Sequence, residues 1–192
     1  HGLATLLNDS DTVIVFADSS FKEMIKKMQE NLPEIKKERW VLVGGNDENA
    51  GFTRWNDFIS GLSDEEPPDA KLVDDDVYNI MYSSGTTGAP KGLVHTHYVR
   101  ANYCTQFASA WRMTPESVVL HAGAIVFNGA MLDLMPWMYL GATYILHKTF
   151  NPAEVLKTID QEKVTHMVLV PSQIVALLNH PDFEPKKLDS LE

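Results

Sequence analysis

A single cysteine, Cys104, stands among 192 residues. It leaves no internal disulfide framework and fits a reducing compartment, the cytoplasm. Basic residues are scarce: 16 Lys and Arg against 26 Asp and Glu, a net charge of −10. With no basic run either, that balance argues against a nucleic-acid partner. No signal-peptide pattern follows the opening "HGLATLL", and His1 and Gly2 are set aside from fold reasoning. A clean apolar span is also lacking. Residues 122–146 are long enough to cross a bilayer, but Asn128, Asp133 and Pro136 break the run. An Asp at mid-bilayer costs about 3 kcal/mol. The segment therefore reads as a strand end, a buried helix and another strand, and no transmembrane segment is expected.

What is present is strand alternating with helix, over a length that suits one large domain or two small ones. "TVIVFA", Thr12–Ala17, reads as a strand. Ser20 and Glu23 have capping-box spacing. Phe21, Met24, Ile25, Met28 and Leu32 then form one helical stripe that Pro33 ends. Trp40–Gly45 is a second strand, so the two strands should be parallel across a βαβ unit. Residues 46–76 are acidic and turn-rich, a solvated connection whose spacing matches no EF-hand calcium loop. Strands are expected at Val77–Ser84 and Gly92–His97. A helix capped by Thr96 follows, with Ala101, Cys104, Ala108 and Trp111 on one face. Next come a strand at Ser117–His121, a helix at 128–140 that is apolar nearly all round and hence buried, and a strand at Ala142–His147. Asn151, Pro152 and Glu154 open another helix. A strand at Thr165–Val170 and a helix from Pro171 complete a second βαβ unit. The expected fold class is α/β, with parts of two sheets and flanking helices, the sheets meeting near residues 113–116.

"YSSGTTGAPKG", Tyr82 to Gly92, breaks this pattern. A glycine-rich turn between strands exposes backbone N–H groups without Cβ obstruction, and successive N–H groups form an anion nest. Ser83, Ser84, Thr86 and Thr87 add donor hydroxyls, and Lys91 adds a mobile positive charge. A polyphosphate has enough oxygens to use all of them. Each hydrogen bond to a charged group is worth about 1.5–3 kcal/mol, and the chain's own charge is screened over about 8 Å at physiological salt. The acidic balance is thus no objection, and Mg²⁺ would help neutralise the phosphates. A Walker loop is excluded: five residues separate Gly85 from Lys91, Pro90 precedes the lysine, and a strand follows.

The stretch resembles the phosphate-loop signature of the adenylate-forming superfamily, the AMP-forming acyl-CoA synthetases and their relatives. Ser83 stands where that family often has Thr, which keeps the hydroxyl. "GLVHTH", "GATYIL", "VTHMVLVPSQIVALL" and the closing "HPDFEPKKLDSLE" look like later parts of the same pattern. The resemblance implies an internal part of the large N-terminal domain. Residues 1–113 would carry the first sheet and the phosphate loop, and residues 114–192 the second sheet and part of the acyl pocket. It implies a ligase that joins a fatty or related carboxylic acid to coenzyme A at the expense of ATP, through an acyl adenylate. Ser83, Ser84, Gly85, Thr86, Thr87, Gly88 and Lys91 would hold ATP, with Ser83 reaching Mg²⁺, and no side chain would act as a catalytic nucleophile. The adenine-binding, hinge and adenylation-lysine segments have no counterpart in these 192 residues, so adenylation is expected to need the rest of the polypeptide. Partners would be a carboxylic acid, ATP and CoA, with a homodimer compatible.

One departure bears on the substrate. Aligned on Gly129, Val126 stands where many relatives have a His that gates the acyl pocket. Ile125, Phe127, Met131, Leu134 and Met135 suit an apolar chain but equally a core. A peptide-synthetase adenylation domain would present an Asp to its substrate's amino group, and Asp133 lies in range. A nucleotide-binding module without chemistry also fits the residues. His95 and His97, two apart on an expected strand, would make at most half of a metal site. Cys104 reads as a small packed residue, and Ser172 lacks a Gly-x-Ser-x-Gly setting.

Overall fold

The alternation read from the sequence is present in a computed structural model of the chain, which describes residues 2–45, 51–83 and 90–192. The residues divide into two compact units. One runs to Lys71 and takes in Tyr82–Leu93; the other comprises Leu72–Met81 and Val94–Glu192. Residues 94–113 therefore belong with the later unit, not with the earlier one as the sequence suggested. Their helix packs on a helix of residues 131–140, a contact that composition does not announce.

In the first unit, α1 (Gly2–Asp9) precedes β1 (Val15–Asp18), and a 3-10 turn at Ser19–Phe21 leads into α2 (Lys22–Gln29). Then come β2 (Trp40–Val43), β3 (Thr53–Arg54) and α3 (Trp55–Ile59). The three strands lie in that order and run parallel, Val15 opposite Trp40 and Val41 opposite Thr53. The helical start is set by Asp18 rather than Ser20: the Ser20 N–H donates to Asp18 Oδ1 at 2.9 Å. An extended residue whose side chain reaches forward satisfies the orphan N–H groups, and Asp18, at ψ 140°, has that backbone. Ile25 and Leu32 are buried with Ile35, Trp40 and Leu42, whereas Phe21 and Met24 of the expected stripe are exposed. Trp40 closes this core, its indole N–H donating to the Ile35 carbonyl at 3.3 Å. Helix α1 and the β3–α3 pair lie where no periodicity announced them; two strand residues are too few to show alternation.

β4 (Val77–Ser83) and β5 (Lys91–Thr96) form a two-stranded sheet of their own, so the described strands make three sheets rather than two. In the second unit, Thr96 caps α4 (His97–Ala110), its hydroxyl accepting from the Val99 N–H. β6 (Val118–Ala122) follows, then a 3-10 turn at Asn128–Ala130 running into α5 (Met131–Leu140). β7 (Thr143–His147), α6 (Pro152–Glu162), β8 (His166–Met167) and α7 (Pro171–Leu178) complete it. The strand order is β7-β6-β8, all parallel. β6 is central and covered on both faces. Leu120 and Ala122 join Val155, Leu156 and Ile159 of α6 in one core cluster. By strand alternation Val119 and His121 face the other way. Asn151 caps α6, its Oδ1 accepting from the Glu154 N–H at 3.2 Å, and Gly141 ends α5 at φ +70°. β8 is shorter than Thr165–Val170 for a visible reason. The Thr165 hydroxyl accepts from the Val118 N–H, while the Val170 N–H donates to Gln173 Oε1 and is already part of the α7 cap. Among the described residues no helix is long and apolar enough to cross a membrane.

Candidate functional site

The two strands β4 and β5 present the ends of the glycine-rich connection. Ser83 is the last residue of β4 and Lys91 the first of β5, and both are exposed. Ser84, Gly85, Thr86, Thr87 and Gly88 lie outside the described residues. Among the described residues Lys91 makes no ion pair. An exposed hydroxyl at the end of β4 and an exposed ammonium at the start of β5 are donors that an anion can use. One anchor holds the incoming strand: the Tyr82 hydroxyl donates to Asp9 Oδ2 at 2.5 Å. That bond, more than the surrounding charge, pushes the phenol above its ordinary pKa.

A second polar group lies on α4, where the sequence suggested only packing. The inward face carries Arg100 and Ala108, while Ala101 is exposed. Arg100 is 2% exposed. Its Nε donates to Asn79 Oδ1 at 3.0 Å, Nη1 to Asn128 Oδ1 at 3.1 Å, and Nη2 to Met81 Sδ at 3.5 Å. The guanidinium carbon stands 4.9 Å from the centre of the Tyr103 ring, a cation–π distance. Burial pulls its pKa below the usual arginine value, but a guanidinium stays charged in a protein. Its partners are neutral: no carboxylate pairs with it among the described residues. Asn79, Tyr103 and Arg100 went unnoticed in the sequence; an arginine on an otherwise apolar helix face was the available signal.

The third group is buried between β6, β7 and α5. Asp133, with no exposed surface, takes His121 Nδ1 at 3.3 Å on one carboxylate oxygen and the Tyr144 hydroxyl at 3.3 Å on the other. His121 Nε2 lies 3.4 Å from the Ala124 carbonyl. The bond to Asp133 raises the His121 pKa, against the opposing effect of burial. Burial first, then the Asp133 charge, hold the Tyr144 phenol well above its usual value. A carboxylate so enclosed cannot receive a substrate's amino group, which removes the role that a peptide-synthetase reading gave Asp133. The pair has a pH signature. A raised histidine stabilises the fold in full below its ordinary pKa of 6.5 and loses that contribution as pH rises through the higher folded value. The stability difference between the wild type and Asp133→Asn, measured by denaturant unfolding, is therefore expected to be largest below pH 6.5 and to shrink as the pH rises above it.

The remaining candidates separate. Ile125 and Phe127 are exposed, Met131 and Leu134 are half-buried, and Met135 belongs to the core. Val126, at the position of the relatives' gating His, is 69% exposed. His95 sits on β5 and is buried, while His97 opens α4, so the two do not share a strand face. No cluster of potential metal ligands exists among the described residues. The Cys104 thiol lies against the Arg100 carbonyl, and burial raises its pKa, the opposite of an activated nucleophile.

Comparison with known proteins places this geometry. A family model described as "AMP-binding enzyme" matches residues 1–192. The chain is 30% identical over 212 aligned residues to YngI of Bacillus subtilis strain 168, covering all of this chain and 39% of that protein. It is 37% identical over 131 residues to the feruloyl-CoA synthase of an Amycolatopsis species, covering 67% of this chain and 26% of that one. These alignments span well under half of either relative's length. Among solved structures, the anthranilate CoA ligase AuaEII in complex with anthranoyl-AMP superposes with a TM-score of 0.84. That match has 24% identity and covers all of this chain and 37% of the ligase, so it bears on the fold alone. The α/β architecture and a family match from end to end agree: the chain belongs to the AMP-binding enzyme family.

Proposed function

We propose that the protein carrying these residues is an AMP-forming acyl-CoA synthetase acting on a fatty or related carboxylic acid in the cytoplasm. A carboxylate oxygen of the acid bonds to the α-phosphorus of ATP, the α–β phosphoanhydride bond breaks, and pyrophosphate leaves. The coenzyme A thiol, giving up its proton, then attacks the acyl carbon, and AMP leaves. The acid supplies its own nucleophile, so the protein's task is positioning and charge stabilisation. Ser83, Ser84, Gly85, Thr86, Thr87, Gly88 and Lys91 hold the β- and γ-phosphates through N–H groups, hydroxyls and the ammonium. Ser83 offers an exposed oxygen of the hard type that Mg²⁺ accepts, and the ion would offset phosphate charge.

The observation carrying this reading is the sequence from Tyr82 to Gly92, in which Ser83 and Lys91 are both exposed and Lys91 makes no ion pair among the described residues. The relatives support it: two are named as a feruloyl-CoA synthase and a medium/long-chain-fatty-acid–CoA ligase, and a neighbouring structure is an ATP-bound MatB. The enclosure of Asp133 disfavours an amino-acid substrate. The test is pyrophosphate release by the protein carrying this chain, with ATP, Mg²⁺ and a panel of fatty, aryl and amino acids. Turnover with fatty or aryl acids, followed by CoA thioester, is expected; turnover confined to amino acids, or none, overturns the reading.

A further inference from the structure

Arg100 asks for an explanation that packing does not give. Burying a guanidinium costs several kcal/mol even after relaxation, and a leucine or methionine would fill the α4 face without that penalty. The charge must therefore do something that an apolar side chain cannot. Its fork holds two stretches of chain: Asn79 and Met81 of β4, and Asn128 of the 3-10 turn before α5.

At Asn128 the effect is directional. An amide has an acceptor oxygen and a donor nitrogen. The guanidinium can only donate, so it holds the oxygen of Asn128 toward itself and turns the nitrogen away. That nitrogen donates to the Tyr103 hydroxyl at 3.4 Å. The phenol is thereby engaged as an acceptor, and its own proton is left to donate elsewhere. Tyr103 and Asn128 are half-buried, so a ligand can reach them where it cannot reach Arg100. Asn128 also follows Ile125–Phe127, the exposed apolar run suited to an acyl chain.

We propose that Tyr103 is a specificity-determining donor that recognises an oxygen on the acyl chain, and that Arg100 is the positioning residue that orients it through Asn128. The substrate class is an acid bearing a hydroxyl, keto or ether oxygen along its chain or ring, not a plain alkyl acid. This rests on the acyl-CoA synthetase reading and narrows its substrate.

The test compares two acids of equal length, one with and one without such an oxygen, in pyrophosphate release by the protein carrying this chain. The wild type is expected to favour the oxygenated acid about tenfold in kcat/KM, mainly through KM, the scale of one hydrogen bond in a partly desolvated site. Tyr103→Phe removes the donor with little change of shape and is expected to abolish the preference. Arg100→Lys keeps the charge, loses the fork, and is expected to do the same. The preference is a ratio within one preparation, so a fall in folded fraction cancels from it. A merely structural role would lower both acids alike and leave the ratio intact, which overturns the proposal. A wild type that turns over both acids equally also overturns it while leaving the synthetase reading standing. No turnover with any acid overturns both.

Discussion

Lys91→Ala is expected to lower kcat/KM for ATP in pyrophosphate release about 10- to 100-fold in the protein carrying this chain. A hydrogen bond to a charged group is worth about 1.5–3 kcal/mol, and each 1.36 kcal/mol is a factor of about ten in rate. Lys91 begins β5, so the strand fixes its backbone while the side chain remains exposed. With no ion pair among the described residues, the fold loses little when the ammonium is removed, and the unfolding midpoint should stay near that of the wild type. Lys91→Arg keeps the charge on a bulkier planar head and is expected to recover part of the loss. Activity within twofold of the wild type for Lys91→Ala would remove the phosphate role of this turn.

The second large effect is on stability. Asp133→Ala is expected to destabilise the fold by about 3–5 kcal/mol in denaturant unfolding, the range for breaking a buried pair by removing one partner. The carboxylate touches no solvent and serves His121 and Tyr144 together. Truncation strands the half-buried Tyr144 hydroxyl and leaves a void between α5 and the sheet. His121 limits the damage by giving up its proton once its partner is gone. Asp133→Asn keeps the volume and an oxygen for one of the two donors, so it should cost markedly less. Equal losses for the two variants would mean that shape, not the oxygen atoms, is what the site requires. A loss below about 1 kcal/mol for Asp133→Ala would remove the structural role altogether, since such a value is ordinary for an unremarkable position.

Legibility followed the length and regularity of the signal. Helix α6 could be read directly: Asn151, Pro152 and Glu154 are three agreeing start signals, and the cap is where they put it. β5 and α4 were equally plain, with Thr96 at the junction. Helix α2 was visible by period, but the capping side chain is Asp18, at the head of the 3-10 turn that leads into it, and not Ser20, because capping depends on which residue is extended, and that depends on where β1 ends. β3 has two residues, and no periodicity can be read from two; β8 was read, but over six residues where the structure keeps two. On α4 the inward face was displaced by one position, from Ala101 to Arg100. Hydrophobicity points an apolar residue inward, and only the acceptors on Asn79 and Asn128, contributed by distant stretches, make the arginine the better choice.

The sequence by itself determined the α/β class, the parallel βαβ units and a donor-rich stretch joining two strands. These are local matters of period, cap and turn chemistry, each written within a dozen residues. The tertiary structure alone decided that Asp133 is closed off by His121 and Tyr144, that Met135 is core while Phe127 is exposed, and that Arg100 faces inward. Burial and hydrogen-bond partnership depend on what lies across the fold, and residues far apart along the chain carry no local mark of meeting.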